Sequence, residues 1–257
     1  MKEIKNALVV DNKLISPNIY SMTLDIKDIA QKAKAGQFVN LYCKAESRLL
    51  PRPISICEID KEKGRIVLVY GVVGKGTEEF GNIKRGESIE VLGPLGNGFM
   101  IDETKRKNII VGGGLGTPPL VELVKHLKGE VDVYLGFRSQ AILIEEFEKI
   151  GARVHIATDD GLEGFKGNVL ELLKNNNAVG DIIYSCGPKP MLKAVAGWAK
   201  NNNIPMQVSL EERMACGIGA CVGCVCKVKE KDEQDWQHKK VCKDGPVFWS
   251  DEVVWDE

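Results

Sequence analysis

Four cysteines near the carboxyl end of the chain have the residue type and the spacing to hold an iron–sulfur cluster. Cys216, Cys221 and Cys224 follow the pattern C-x4-C-x2-C, and Cys242 comes later in the chain. This spacing is a known ligand pattern for a [2Fe–2S] cluster. Glycines inside the loop let the backbone approach the inorganic sulfides closely. The motif therefore predicts a centre that transfers single electrons.

Two alternatives remain open for these cysteines. Zinc also accepts four thiolates, but structural zinc sites favour two C-x2-C pairs, and the sequence contains one such pair. Cys226 lies two residues after Cys224 and could replace it as a ligand. The geometry of a C-x2-C loop favours Cys224, and Cys226 is then expected to be a small buried residue.

Composition excludes several classes of function. The 257 residues include 35 basic and 36 acidic side chains, which are interspersed along the chain and give a net charge of −1. There is no basic stripe for nucleic acid and no polybasic anchor for a membrane surface. No apolar run has the length needed to span a bilayer. Eight cysteines without an apolar signal segment indicate a reducing compartment, so we expect a cytoplasmic protein.

Two regions of different periodicity precede the cysteines. Up to about residue 100, short β-branched runs separated by turns predict a six-stranded all-β barrel or sandwich. The expected strands are 7–10, 19–24, 38–42, 54–59, 66–73 and 88–92. From residue 108 to 210, strands alternate with helices, which predicts a doubly wound parallel sheet. We therefore expect three parts, at 1–100, 101–212 and 213–257.

The first region contains candidate anion-binding residues. Arg52 begins the motif R-P-x-S, and its guanidinium is a permanently charged fork that suits a diphosphate. Pro53 fixes the backbone so that Ser55 can direct its hydroxyl at a ligand ring. Further along, Gly76 and Thr77 open a predicted helix, whose first amides can bind an anion. Alone, an arginine before a strand is more often a solvated charge, and a plain β-turn is an alternative for the segment that contains Gly76 and Thr77.

The second region contains a glycine-rich turn between a predicted strand and a predicted helix. Its sequence, G-G-G-L-G-T-P-P, stands where a dinucleotide phosphate should bind, although it is not a strict G-x-G-x-x-G motif. A later strand ends in C-G-P-K-P-M, beginning at Cys186. By itself, Cys186 would more often be a core residue.

Together with residues 93–99 (GPLGNGF), these motifs resemble the ferredoxin–NADP reductase superfamily. The resemblance implies an antiparallel barrel that binds FAD through the R-x-x-S element and a parallel sheet that binds a nicotinamide dinucleotide. It also implies that Cys186 and Gly187 approach the nicotinamide.

The order of barrel, sheet and cysteine module narrows the resemblance. Residues 211–227 (EERMACGIGACVGCVCK) and 240–248 (KVCKDGPVF) are similar to the electron-transfer subunits of the NAD-linked dihydroorotate dehydrogenases. The resemblance implies cluster ligands at Cys216, Cys221, Cys224 and Cys242. The implied FAD contacts are Arg52, Pro53, Ile54, Ser55, Val69, Tyr70, Gly71, Gly76 and Thr77. The implied NAD contacts are Gly112, Gly113, Gly114, Gly116, Cys186, Gly187 and Pro188.

This family resemblance implies a division of labour between two subunits. An FMN-containing partner oxidises dihydroorotate to orotate in pyrimidine biosynthesis, and electrons pass through the [2Fe–2S] cluster and FAD to NAD⁺. The implied assembly is a heterotetramer of two chains of each kind. His126, His155 and His238 are scattered, so the sequence contains no acid–base constellation for a small organic substrate.

Other functions also fit parts of the sequence. The nearer alternative is the flavin subunit of a sulfhydrogenase or of an NAD(P)H–ferredoxin reductase complex. The more distant one is a sensor or binding module whose cysteines hold zinc. Arg138 could contact a 2′-phosphate, so NADP stays open beside NAD.

Overall fold

The amino-terminal part of the chain forms a closed antiparallel barrel. In the computed structural model, which describes residues 3–45, 47–229 and 235–255, the barrel order is β1-β2-β5-β4-β3-β6. The strands are β1 (Ile4–Ser16), β2 (Ile19–Asp25), β3 (Phe38–Leu41), β4 (Arg52–Asp60), β5 (Arg65–Gly71) and β6 (Ser88–Leu95). Two helices lie in the connections, α1 (Lys27–Lys32) and α2 (Lys75–Asn82). The six strands predicted for this region are confirmed.

The side chains of one barrel strand alternate between two hydrophobic cores. In β5, the side chains of Ile66, Leu68 and Tyr70 are buried in the barrel interior. Val69 points the other way and is buried among residues of the following domain. This is the period of two expected when both faces of a strand are covered. The outside of β5 is therefore part of the interface with the next domain.

The second part of the chain is a doubly wound parallel sheet. Its parallel strands, in the order β10-β9-β8-β7-β11-β12, are β7 (Lys107–Gly113), β8 (Glu130–Phe137), β9 (Arg153–Thr158), β10 (Phe165–Lys166), β11 (Ile182–Cys186) and β12 (Met206–Ser209). Its helices are α3 (Pro118–Val124), α4 (Ile144–Lys149), α5 (Val169–Asn175) and α6 (Lys189–Asn201). Ile110 of β7 packs with Leu120 of α3 on one face, and Ile109 packs with Leu173 and Val195 on the other. Helices thus cover both faces, as predicted.

The carboxyl-terminal residues are joined to this sheet. They form a hairpin of β13 (Val225–Lys229) and β14 (Trp236–Lys240), followed by β15 (Val247–Trp249). β15 pairs antiparallel with β12, with Val208 opposite Phe248, and becomes the edge strand of the sheet. The sequence analysis expected neither this strand nor the short β10. Within the described residues, no helix is long and apolar enough to cross a membrane.

A buried carboxylate connects the barrel to the sheet. Glu122 of α3 is 3% exposed, and its Oε2 accepts a hydrogen bond of 2.9 Å from the backbone N–H of Ile59 in β4. Lys125 lies 3.2 Å from the same oxygen, and His126 lies 2.9 Å from Oε1. Lys125 also pairs with Glu58 of β4 at 2.7 Å. A buried charge is stable only when paired and hydrogen-bonded, and here the partners come from both domains.

We expect Glu122→Ala to weaken the union of the two domains. The change leaves the Ile59 amide and the Lys125 ammonium without their shared acceptor, so the free energy of unfolding should fall by about 2 kcal/mol. Urea denaturation of the whole chain measures this loss. Glu103→Ala is the matched control, because Glu103 is 69% exposed in its ion pair with Lys128 and should matter little. Equal denaturation midpoints for the two variants would contradict the role of Glu122.

Candidate functional site

One large cavity lies where the barrel, the sheet and the cysteine loop meet. Its volume is about 1180 Å³, and we refer to it as the central cavity. The three parts of the chain contribute wall residues that include Arg52, Ser55, Gly116, Cys186, Ala215 and Gly223. Sequence elements predicted separately to bind a flavin, a dinucleotide and a cluster therefore share one space.

Arg52 is held at the start of α2 by close packing. Its guanidinium donates to the carbonyl of Leu50. A Cβ atom added at Gly76 would lie 2.6 Å from Nε of Arg52, so a side chain there would displace the guanidinium from this place. The cationic fork and the first turn of α2 thus stand together on the cavity wall, an arrangement that fits a diphosphate.

Thr77 shapes this turn with its hydroxyl group. Oγ1 accepts hydrogen bonds from the backbone N–H groups of Val73, at 3.0 Å, and Gly74, at 3.3 Å, and donates to the Gly74 carbonyl. The side chain is buried and lies at the cavity wall. Its hydrogen-bonding capacity is therefore largely used in holding the loop that precedes α2.

The structure separates the roles of the predicted residues on β4 and β5. Pro53, Ile54 and Ser55 line the central cavity directly behind Arg52. The Tyr70 ring instead points into the barrel, where its hydroxyl donates to Oδ1 of Asn12 at 3.1 Å. Burial raises the pKa of Tyr70 well above its ordinary value. Tyr70 can therefore offer a ligand its backbone but not an ionised phenol.

We expect Gly76→Ala to weaken FAD binding by at least about tenfold. The new methyl group displaces the Arg52 guanidinium, and one charge-assisted contact is worth about 1.5–3 kcal/mol. Titration of FAD into apoprotein, followed by flavin fluorescence, measures the affinity. Gly74→Ala is the control, because a Cβ there meets nothing within 4 Å. Wild-type affinity in the Gly76 variant would refute the assignment of Arg52.

The glycine-rich turn packs directly on the predicted nicotinamide element. A Cβ added at Gly113 would lie 2.5 Å from Sδ of Met191, and one at Gly116 would lie 2.4 Å from the Cys186 carbonyl oxygen. β7 and β11 are neighbouring parallel strands, so their carboxyl ends bring the two loops together. Gly114 has a φ of +52° and open space beside it. Close packing therefore accounts for Gly113 and Gly116, and Gly114 leaves backbone accessible to a ligand.

Two side chains of this region lie close to the barrel strands that carry the predicted flavin contacts. A Cβ added at Gly71 of β5 would lie 2.8 Å from Cδ1 of Leu115, so Leu115 reaches from the glycine-rich turn onto the flavin strand. Cys186 lines the central cavity, and burial raises the pKa of its thiol to about 12. Cys186 is thus a neutral thiol at neutral pH, suited to contact with a ring and not to nucleophilic attack.

The four predicted ligand cysteines form two pairs. Cys216 and Cys221 have their sulfur atoms 3.3 Å apart, and Sγ of Cys224 lies 3.5 Å from the backbone nitrogen of Cys242. In the described residues, no three His, Cys, Asp or Glu side chains converge on one metal position. Two pairs of thiolates suit the two irons of a [2Fe–2S] cluster.

Backbone amides point at the sulfur atoms of this loop. Gly219 N–H donates to Sγ of Cys242 at 3.2 Å, and Cys221 N–H donates to Sγ of Cys216 at 3.4 Å. Burial alone would raise the pKa of Cys216, but amides of Cys221, Ile218 and Ala220 lower it to about 6. Burial and then the neighbouring Cys224 raise the pKa of Cys242 to about 12. Hydrogen bonds from amides stabilise thiolates, the form that binds metal, so the surroundings of Cys216 fit a cluster ligand.

Cys226 has a different environment. It lies in β13, and its sulfur donates to the carbonyl oxygen of Lys239 in β14 at 3.7 Å. Burial raises the pKa of its thiol to about 11. This thiol is engaged in the hairpin and stays protonated at neutral pH.

Asn40 connects the cysteine loop to the barrel, and the sequence analysis did not single it out. Its side chain is fully buried in β3 and donates from Nδ2 to the Cys216 carbonyl at 3.0 Å. A Cβ added at Gly217, where φ is +65°, would lie 2.5 Å from the same nitrogen. Asn40 also pairs in register with Pro53 of β4. A lone amide within the apolar run FVNLY was the signal that could have identified it.

We expect Cys226→Ser to keep its iron and Cys224→Ser to lose it. Of the two, only Cys224 lies beside another predicted ligand cysteine, so its loss should remove one of the two cysteine ligands of one iron. Iron analysis and the visible absorption of the purified proteins provide the measurement. Loss of the cluster from Cys226→Ser, with retention in Cys224→Ser, would exchange the two assignments.

Comparisons with known proteins agree with this architecture. Residues 6–99 match the model of the oxidoreductase FAD-binding domain, and residues 211–254 match the iron–sulfur cluster binding domain of dihydroorotate dehydrogenase B. A solved chain from the NADH-dependent reduced ferredoxin–NADP oxidoreductase superposes with a TM-score of 0.86 and 30% identity, covering 97% of this chain and 90% of that one. The cytochrome b5 reductase domain of Ulva prolifera nitrate reductase, with a TM-score of 0.60, 17% identity and coverage of 74% and 89%, shares the fold. The class is a flavin reductase with an added iron–sulfur domain.

Two curated relatives define the family within this class. The electron transfer subunit of dihydroorotate dehydrogenase B (NAD⁺) from Caldanaerobacter subterraneus subsp. tengcongensis is 43% identical over 96% of this chain and 97% of its own. The subunit of the same name from Bacillus cereus is 43% identical over 99% of this chain and 100% of its own. The chain belongs to the family of dihydroorotate dehydrogenase B electron transfer subunits. It is therefore an oxidoreductase subunit with an FAD-binding barrel and an iron–sulfur domain, as the sequence predicted.

Proposed function

We propose that the chain passes electrons from a dihydroorotate-oxidising partner through a [2Fe–2S] cluster and FAD to NAD⁺. The strand order β5-β4-β3 carries this proposal. Leu115 of the glycine-rich turn contacts Gly71 of β5, and the cysteine loop bonds to Asn40 of β3. β4, with the Arg52 motif, lies between them. Adjacent strands are about 4.8 Å apart, so β5 and β3 are about 10 Å apart. The Arg52 motif on β4 therefore lies between the contact of the glycine-rich turn and that of the cysteine loop.

The residues of the cavity would act by binding and orientation. Arg52 and the first turn of α2 would hold the diphosphate of FAD, while Pro53, Ile54 and Ser55 support its ring system. A bound flavin can exchange single electrons and hydride, which links a one-electron cluster to a nicotinamide. Cys186 and the backbone at Gly114 would face the dinucleotide. These FAD, NAD and cluster contacts, and the three-part division of the chain, are proposals.

Exposed apolar residues around the cysteine loop support a protein partner. Ile218 is 46% exposed and Val222 is 73% exposed, and both lie between ligand cysteines. Apolar side chains exposed beside a redox centre mark a surface for docking. We propose an FMN-containing dihydroorotate dehydrogenase subunit as that partner, in a heterotetramer of two chains of each kind. The relatives' names support a catalytic partner of this kind. Eight free thiols support a reducing compartment, the cytoplasm.

Carboxylates at the end of the sheet support NAD over NADP. The backbone N–H of Asp159 donates to the Phe137 carbonyl at 3.1 Å, so Asp159 and Asp160 follow β9 beside Arg138, which follows β8. An acidic side chain in this region suits a ribose 2′-hydroxyl, whereas an arginine suits a 2′-phosphate. Two carboxylates beside one guanidinium should disfavour the extra phosphate.

A second candidate function is the flavin subunit of a ferredoxin-linked oxidoreductase complex. The observation that favours it is the 0.86 TM-score with a chain of the NADH-dependent reduced ferredoxin–NADP oxidoreductase. The higher identity to the dihydroorotate dehydrogenase B subunits, over nearly the whole chain, supports the first proposal.

Coexpression with a dihydroorotate-oxidising subunit tests the proposal. We expect a stable complex that reduces NAD⁺ when given dihydroorotate, with little activity toward NADP⁺ and none from the chain alone. A complex containing Cys221→Ser should oxidise dihydroorotate with an artificial acceptor but should not reduce NAD⁺. A loaded complex that reduces NAD⁺ only when given reduced ferredoxin would instead establish the second candidate.

A further inference from the structure

One lysine is linked to a cluster ligand through a single residue. Nζ of Lys240 donates to the carbonyl oxygen of Gly219 at 2.7 Å. The N–H of the same Gly219 donates to Sγ of Cys242 at 3.2 Å. Lys240 therefore holds Gly219 by its carbonyl group, and the N–H of Gly219 hydrogen-bonds to a ligand sulfur.

Gly219 is confined on its other side as well. Its φ is +84°, and an added Cβ would lie 2.8 Å from Cδ of Lys243. Glycine is thus the residue that this position accepts, and it has no side chain to hold its own orientation. The hydrogen bond from the Lys240 ammonium holds Gly219 in this orientation.

Lys240 is itself held close to the cysteines. It is the last residue of β14 and pairs with Val225, which follows Cys224. Its backbone N–H donates to Oδ2 of the exposed Asp244 at 2.8 Å. The carboxylate of Asp244 lies at the backbone of Lys240, whereas the ammonium is directed at the cysteine loop. The charged group that is hydrogen-bonded to Gly219 is therefore positive.

We propose that Lys240 is a positioning residue that raises the reduction potential of the cluster. Reduction adds one electron and one negative charge to the site, with no bond broken or formed in the protein. A neighbouring positive charge and an amide directed at a ligand sulfur both favour the more negative state. The inference rests on the proposed function only in requiring that Cys216, Cys221, Cys224 and Cys242 hold the cluster.

Potentiometric titration of the whole, cofactor-loaded chain, followed by electron paramagnetic resonance of the reduced cluster, tests this role. Lys240→Met removes both the charge and the hydrogen bond, and it should lower the equilibrium constant for reduction by about tenfold, a shift of about 59 mV for one electron. Lys240→Gln keeps a donor without the charge and should give a smaller shift. Lys240→Arg should restore the wild-type potential.

Lys229→Met is the matched control. Lys229 lies on the same hairpin, but it pairs with Trp236 at the far end, four residues along β13 from the partner of Lys240. At about 3.4 Å per residue this places Lys229 about 14 Å from Val225, the partner of Lys240, which is beyond the screening length at physiological salt. Its removal should leave the potential unchanged.

The outcomes separate this proposal from the proposed function. Met and Gln variants with the potential of the Lys229 control would overturn it. Loss of iron from both neutral variants would also overturn it, because Lys240 would then be needed only to form the loop. A wild-type chain that binds no iron would refute the cluster itself, and with it the electron route proposed above.

Discussion

Close approach of glycine backbone to neighbouring elements is the constraint on which the rest of this structure depends. Three binding elements share one cavity, and a side chain at any contact between them would force them apart. At Gly113, Gly116 and Gly217, an added Cβ would collide with an atom of a different element at 2.5 Å or less. The glycines are therefore required first by packing. The same absence of side chains leaves backbone amides open to the cavity, where they can bind a ligand.

Such close packing needs elements that are held rigidly, and a few polar side chains, two of them buried, supply that rigidity. Glu122 holds α3 on the barrel, and Asn40 holds the cysteine loop on β3. Asn97 bonds to the backbone of Asp244 and Val247, and so ties the end of the barrel to the segment that leads into β15. Each of these bonds joins residues far apart in sequence. Breaking a hydrogen bond at a buried polar group is costly, so these contacts favour one relative placement of the three parts.

Local patterns predicted the elements, and contacts distant in sequence decided what could not be predicted. Short β-branched runs such as 66–73, separated by turns, identified the barrel strands, and strand–helix alternation identified the sheet. β15 was missed because three residues, Val247 to Trp249, become a strand only by pairing with β12. The family resemblance implies Tyr70 as a flavin contact, and this stays a prediction: strand alternation directs its ring into the barrel, while the residue also lines the central cavity. Asn40 could not be assigned a partner, because Cys216 lies far away in sequence and nothing local to β3 indicates it.

The order of strands in the barrel sets the order of the sites along the proposed electron route. A barrel strand has two neighbours, so β4 can contact one functional element through β5 and another through β3. The glycine-rich turn occupies the first position, and the cysteine loop, with its exposed apolar residues, occupies the second. A partner that docks at the cysteine loop would thus be separated from the dinucleotide by β4, the strand that carries the Arg52 motif. Single electrons and hydride would then be handled at opposite sides of one cofactor, and the two chemistries could not bypass it.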